Sequence, residues 1–112
     1  MWYQIQGKEE NIQVGVVYRP PGISHEEDDK LWETLRQIAN HKRMMVVGDF
    51  NLPDIKWDIL DAVTRRSREF IKLVQDNYWY QHISEPTRGE NILDLLLTSE
   101  KKWWTIWKLE NK

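Results

Sequence analysis

Met44-Met45-Val46-Val47-Gly48-Asp49-Phe50-Asn51-Leu52-Pro53-Asp54-Ile55-Lys56-Trp57 is the stretch on which the fold turns. Met44 to Val47 is apolar and partly β-branched, which suits a buried strand, and Gly48 frees the backbone for a sharp exit. Asp49 and Asn51 follow two residues apart. In an extended segment that spacing sends both side chains to one side, at the carboxyl end of a strand, where open α/β sheets place their ligand crevice. Taken alone, Gly-Asp-x-Asn is first of all an Asx-type turn, because Gly, Asp and Asn each favour turns for local reasons. A site is the second reading, and the flanking chain decides between them.

Upstream, Ser24 to Arg43 carries the clearest helix signals. Ser24 with Glu27 matches a capping box, and Glu26, Glu27, Asp28 and Asp29 put negative charge at the positive end of the dipole. Leu31, Trp32, Leu35, Ile38 and Ala39 make one apolar stripe, and His41, Lys42 and Arg43 stand at the other end. Before this helix, Trp2 to Gln6 alternates apolar and polar residues, Gly7 to Asn11 is polar and Ile12 to Tyr18 is β-rich, which predicts a hairpin. Arg19-Pro20-Pro21-Gly22 ends the second strand, since neither proline can donate to a ladder. Strand, helix and strand with a connection of this length predict a parallel crossover and the α/β class.

Downstream, Asp58 to Val63 reads as irregular. A second helix is predicted from about Arg65 to Asn77, with Phe70, Val74 and Tyr78 on one face and Leu73 widening it. Trp79 to Ser84 reads as a short strand, Glu85-Pro86-Thr87-Arg88-Gly89 as a turn, and Ile92 to Thr98 as a strongly apolar strand. The tail from Glu100 to Lys112 holds Trp103, Trp104 and Trp107, three of the seven tryptophans. It is short and has no clean amphipathic face, so a last strand or a frayed end is preferred over a membrane-interface segment.

Composition sets the outer limits. A chain of 112 residues with 40% apolar content is one globular domain at most, or a part of a larger one. A net charge of −2 supplies no global basic field, so any nucleic-acid contact must be local. With no cysteine there is no disulfide framework, thiolate metal site or cysteine nucleophile. The first residues lack the basic and apolar regions of a signal peptide, and no apolar run approaches membrane-spanning length. The expectation is a soluble intracellular chain with no membrane partner and no small-molecule cofactor.

Several residues stand out chemically. Asp94 shares a strand face with Ile92 and Leu96, so its carboxylate needs a histidine, arginine or metal partner, or a place at the open end of the sheet. A structural pairing with Arg or Thr is an equal alternative. Tyr18 closes a strand before Arg19-Pro20-Pro21; a half-buried core tyrosine is the default, and a functional one requires a phosphate or metal within reach. His25, His41 and His82 have no zinc-site spacing. Arg65, Arg66, Arg68 and Lys72 cluster at the start of the second helix, where an ordinary charged face is the better reading than phosphate binding. No Gly-x-Ser-x-Gly elbow, Walker loop or dinucleotide glycine pattern occurs.

Val16-Val17-Tyr18-Arg19-Pro20-Pro21, then Val47 to Trp57, then Ser67-Arg68-Glu69-Phe70, then Glu85-Pro86-Thr87-Arg88-Gly89 with Ile92-Leu93-Asp94-Leu95 stand in a specific order and spacing. Together they resemble the endonuclease/exonuclease/phosphatase (DNase I-like) superfamily, in the version found in non-LTR retrotransposon (LINE-type) endonucleases. The likeness covers about Trp2 to Ser99.

That resemblance implies a partial four-layer α/β sandwich over residues 1–99, lacking the first strands and the last motif, followed by a divergent Trp-rich tail over 100–112. It implies metal-dependent phosphodiester hydrolysis, with Mg²⁺ or Mn²⁺ as the cation, and DNA as the partner, nicked to prime reverse transcription. Asp49 is similar to the residue that orients or deprotonates the attacking water, and Asn51 to its neighbour on the scissile phosphate; the resemblance implies both as metal-site residues. Tyr18 is similar to the tyrosine that reaches the phosphate, and Asp94 to the aspartate that holds the family's catalytic histidine. Arg19 and Arg88 flank the site as phosphate contacts. The oxygen-rich, thiol-free composition suits a hard cation. The family's upstream Asn and Glu metal ligands and its downstream Ser-Asp-His have no counterpart here. These residues alone are therefore expected to show little or no nicking, marginal stability and an exposed apolar sheet face. A target-nicking role implies the nucleus, although no basic run resembles an import signal.

Overall fold

The computed structural model describes residues 2–6, 12–39 and 43–102. The elements are β1 (Trp2–Gln6), β2 (Ile12–Tyr18), α1 (His25–Ala39), β3 (Arg43–Asp49), α2 (Arg65–Asp76), β4 (Tyr80–Gln81) and β5 (Asp94–Thr98). The strands form one sheet in the order β1-β2-β3-β5-β4. The expected hairpin is present, with Trp2 opposite Val17 and Gln6 opposite Gln13. The expected crossover is present too, since β2 and β3 run parallel on either side of α1, from Ile12 beside Arg43 to Tyr18 beside Asp49. β5 returns antiparallel to β3 and carries β4 on its outer edge.

The period-two rule gives the sheet two unlike faces. Val17, Met44, Val46, Leu95 and Leu97 point to the helices and are buried with Trp32, Leu35 and Ile38 of α1 and Phe70, Leu73 and Val74 of α2. Phe70 is the meeting point, with its ring 5.1 Å from Trp32, 5.0 Å from Phe50 and edge-on to Trp57 at 6.2 Å. The opposite face presents Val16, Val47 and Tyr18, which stay 39%, 40% and 52% exposed, beside half-buried Val14, Met45 and Leu96. The described residues thus form one sheet with helices on one side, compatible with part of the expected sandwich, and among them nothing covers its apolar second face.

Local chemistry moves several boundaries. The first helix is last seen at Ala39, and Arg43, expected in its C-terminal turn, instead opens β3 and pairs with Glu100 at 3.0 Å. His41, Lys42, Trp103, Trp104 and Trp107 lie outside the described residues. Ser24 caps α1 by accepting the Glu27 N–H at 3.2 Å, and its hydroxyl donates to the Glu27 carboxylate at 3.3 Å. Tyr78 does not extend the apolar face of α2. The helix stops at Asp76, Tyr78 adopts φ +56°, and the ring turns out to solvent while Trp79 takes the buried place. β4 is only two residues long because the Gln81 side chain takes over the ladder, accepting N–H groups from Ile83 and Leu96. β5 begins at Asp94 rather than Ile92, for the Thr87 hydroxyl captures the Leu93 and Asp94 N–H groups.

Candidate active site

Tyr18, Asp49 and Asp94 stand in one register row. Tyr18 is paired with Asp49 across β2 and β3, and Asp49 with Asp94 across β3 and β5. Register partners share a face, so three strands deliver these side chains to the same end of the open face. Gly48 makes the row possible. It sits against Val17 with φ +154°, where an added Cβ would lie 1.8 Å from the Val17 carbonyl oxygen. No other residue lets β3 press so close to β2 one step before Asp49.

Asp49 is nearly buried, and both of its carboxylate oxygens are engaged. Oδ1 accepts the Asn51 N–H at 3.0 Å, and Oδ2 accepts from Arg88 Nη2 at 2.6 Å. The turn reading and the strand-end reading of this stretch are therefore both true. The same-side argument for Asn51 does not hold, however, because Asn51 has left the extended conformation for φ +52°. Asparagine tolerates that region better than most residues, and the turn folds it back over Asp49. Asp94 meets the open-end condition, half-buried at the first position of β5.

The two flanking arginines have different occupations. Arg19, expected at phosphate, is 5% exposed. Its Nε and Nη2 grip the carboxylate of Asp28 at 2.7 and 2.9 Å, and its Nη1 donates to the carbonyls of Phe50 and Asn51 at 3.2 and 3.1 Å. A guanidinium so fully engaged braces the loop after β3 and has little left to offer a ligand. Asp28 is 1% exposed and is also paired with Arg66 at 3.4 Å, so α1, α2 and β2 are tied together there. The α2 basic cluster is otherwise spent on Glu69, Asp76 and the Ala62 carbonyl, as an ordinary charged face would be.

Arg88 is 58% exposed and reaches Asp49 from a tight turn. The turn closes through Arg88 and Asn91, which exchange N–H groups, with Gly89 at φ +57°. Thr87, read in the sequence only as a turn residue, is the missed member of the site. Its hydroxyl fastens the Arg88 turn to the start of β5.

Two further polar clusters shape the surroundings. Asp54 accepts from the Val63 and Thr64 N–H groups and from the Thr64 and Ser67 hydroxyls, which pins the loop after β3 to the start of α2. Partial burial pushes its carboxyl up, but the hydrogen bonds from Ser67 and Thr64 together outweigh that and hold it below the usual range. His82 Nε2 lies 2.6 Å from the Thr98 hydroxyl, which itself donates to the Glu100 carbonyl, so Nε2 carries a proton. Burial lowers the imidazole's pKa, opposed by the Glu100 carbonyl. This histidine therefore anchors the far end of β5 from Asp94.

The donor chemistry at the row is of the hard-oxygen kind, but the donor number falls short. Among the described residues no group of three His, Cys, Asp or Glu side chains is placed to hold a metal ion. Asp49 and Asn51 alone do not make a cation site, and the Arg88 guanidinium already occupies Asp49 Oδ2. A groove of about 1000 Å³ is walled by Trp57, Leu60, Tyr80 and the Asn91 end of the Arg88 turn, and none of Tyr18, Asp49, Asn51, Arg88 or Asp94 lines it. Asp54, Asp58 and Glu90 outnumber Lys56 along it, which does not suit a phosphate backbone. No described helix is long and apolar enough to cross a membrane.

Comparison with protein-family models matches residues 12–111 to the family described as endonuclease-reverse transcriptase. The match takes in β2 through β5 and continues into the tryptophan-rich tail. No curated protein sequence matches the chain.

Proposed function

The chain belongs to the endonuclease-reverse transcriptase family of endonuclease/exonuclease/phosphatase-type domains, and on that premise we propose that it carries part of a DNA-nicking phosphodiesterase site centred on Asp49. The observation that supports this reading most is the Tyr18–Asp49–Asp94 row at one end of an open sheet face. Phosphodiester hydrolysis requires a positioned water, a proton acceptor and compensation of charge on the phosphoryl oxygens. In this proposal Asp49 orients the water and accepts its proton, the exposed Tyr18 hydroxyl donates to a phosphoryl oxygen, and Asn51 holds its neighbour. Arg88 supplies positive charge once it leaves Asp49. Asp94, opposite Asp49 across β3 and β5, is proposed as the carboxylate that would hold a catalytic histidine.

The divalent cation implied by the family has no complete set of ligands among the described residues. Catalytic groups that act together lose far more than the sum of their parts when some are missing. The 112 residues are therefore proposed to nick DNA weakly or not at all. A specific observation favours a non-catalytic reading as the alternative: the Asp49 carboxylate is held by an arginine of the same chain. In that reading the domain at most binds nucleic acid or a partner protein. A target-nicking role would belong in the nucleus.

Supercoiled plasmid incubated with the chain and MgCl₂ or MnCl₂, with Asp49→Ala alongside, tests the proposal. Nicking at or near background for both proteins is expected. Robust nicking lost in Asp49→Ala would overturn the impairment and retain the site; robust nicking unchanged in Asp49→Ala would overturn the site.

A further inference from the structure

The groove walled by the loop after β3, the end of α2 and the edge strand β4 takes no part in the Asp49 row. Trp57, Leu60, Val63, Val74, Trp79 and Ile83 give it a bulky apolar lining, of a kind that marks an interaction site when water reaches it. Its loop wall is fixed in advance. Lys56 and Asp61 exchange N–H groups at 2.8 and 3.3 Å, and Leu60 between them takes φ +52°. Leu60 and Val63 nevertheless stay exposed. A leucine held in the left-handed region with its side chain in water has given up both backbone comfort and packing, a combination found where a surface has a task.

Charge narrows the occupant. Asp54 spends its carboxylate on Thr64 and Ser67. Asp58 and Glu90 also line the groove, and neither carboxylate has a hydrogen bond or ion pair among the described residues. A segment that brings bulky apolar side chains together with lysines satisfies walls and rim at once. A phosphate backbone satisfies neither.

The chain itself carries such a segment. Residues 103–112, outside the described residues, contain Trp103, Trp104, Ile106, Trp107 and Leu109 with Lys108 and Lys112. They begin close to the groove: Thr98 is the register partner of Tyr80, Tyr80 lines the groove, and only four residues separate Thr98 from Trp103. Ten residues reach up to about 33 Å, so the three tryptophans can lie along the groove without straining the connection.

We propose that this groove is the docking site of the chain's own residues 103–112, with the tryptophans on its apolar walls and the lysines toward Asp58 and Glu90. The inference is independent of the phosphodiesterase reading, because the groove shares no residue with the Tyr18–Asp49–Asp94 row.

The absence of cysteine allows a single introduced thiol to carry a nitroxide label on the full 112-residue chain. With the label at Thr105→Cys, paramagnetic broadening of amide signals is expected to be strongest at Gln75, Tyr80 and Ser84 and weak at Val14, Val16 and Val47. Charge reversal in Asp58→Lys/Glu90→Lys should return the Gln75 and Ser84 signals, and both positions are exposed, so the fold is retained. Lys108→Glu/Lys112→Glu tests the same contact from the segment's side. Broadening centred on Val14, Val16 and Val47 overturns the proposal and puts the segment on the open sheet face. Broadening that survives both reversals unchanged overturns it as well, since tethering next to Tyr80 would then account for the effect. Equal broadening in a mixture of spin-labelled chain with isotope-labelled chain lacking the nitroxide overturns docking within one chain in favour of a second copy.

Discussion

Arg19 and Arg88 each hold an aspartate close to the end of β3, and the two pairs differ chiefly in their access to water. Arg19 and Asp28 are 5% and 1% exposed and form two parallel hydrogen bonds deep beneath the loop, with Arg66 as a third member. Arg88 and Asp49 share one short contact at the rim, with Arg88 more than half exposed. In the first region desolvation has already been incurred, and removing one partner strands a buried charge. In the second, Arg88 faces water although Asp49 does not, so the guanidinium side of the same ion-pair chemistry is exchangeable. Burial thus separates the arginine that builds the site from the arginine that can act in it.

The largest expected effect attacks what both regions depend on. Gly48→Ala places a Cβ 1.8 Å from the Val17 carbonyl oxygen and should cost more than about 4 kcal/mol, leaving no cooperative melt by circular dichroism. Asp28→Ala comes next, at about 3–5 kcal/mol by denaturant unfolding, because it leaves Arg19 buried and unpaired. The double variant Arg19→Met/Asp28→Leu should recover most of that loss; if it does not, the carbonyl contacts of Arg19 matter more than its charge.

Smaller effects sharpen the contrast. Asp54→Ala should cost about 1–2 kcal/mol by removing the acceptor that joins the loop to the start of α2. Its carboxyl titrates below its unfolded value of 3.8, so the unfolded state binds the proton more readily. That contribution is full above the unfolded pKa and lost as pH falls through the lower folded value. Acid melts of Asp54→Asn should therefore lose less stability over that window than the unaltered chain does. Arg88→Gln is the smallest, about 0–1 kcal/mol, because its side chain faces solvent and the glutamine amide can still donate to Asp49. A loss as large as that of Asp28→Ala would erase the distinction between the two regions.

Much of the fold was legible because it is periodic. The β2–α1–β3 crossover followed from the Leu31 to Ile38 stripe between two β-rich runs, and the hairpin from alternation at Trp2 to Gln6. Asp49 and Asp94 stood out because polar residues break an apolar strand pattern, whereas Tyr18 read by itself as a core tyrosine and entered the candidate site only through the family resemblance. Side-chain hydrogen bonding was not legible. Tyr78 continued the helical period, yet Asn77 capped the helix against it with its side chain on the Leu73 carbonyl. Asp28 looked like one of four acidic residues at a helix start, although it stands four residues before Trp32 and seven before Leu35 and so lies on the buried stripe. That offset was the available signal for the brace. The assignment of Arg19 to structure and Arg88 to the rim depends on three-dimensional burial, which neither residue's neighbours in sequence encode.

The register row also sets an order of events during folding. Tyr18 must find Asp49 across 31 residues, and Asp49 must find Asp94 across 45, so neither pairing belongs to a local hairpin. Closing such loops costs entropy before any contact repays it, and non-local pairing is the slow part of forming a sheet. The hairpin of β1 and β2 and the two helices can form early without bringing any two of these three residues together. The row is therefore completed only with β5, and a nascent chain emerging in order can pair Tyr18 with Asp49 across β2 and β3 before Asp94 joins them.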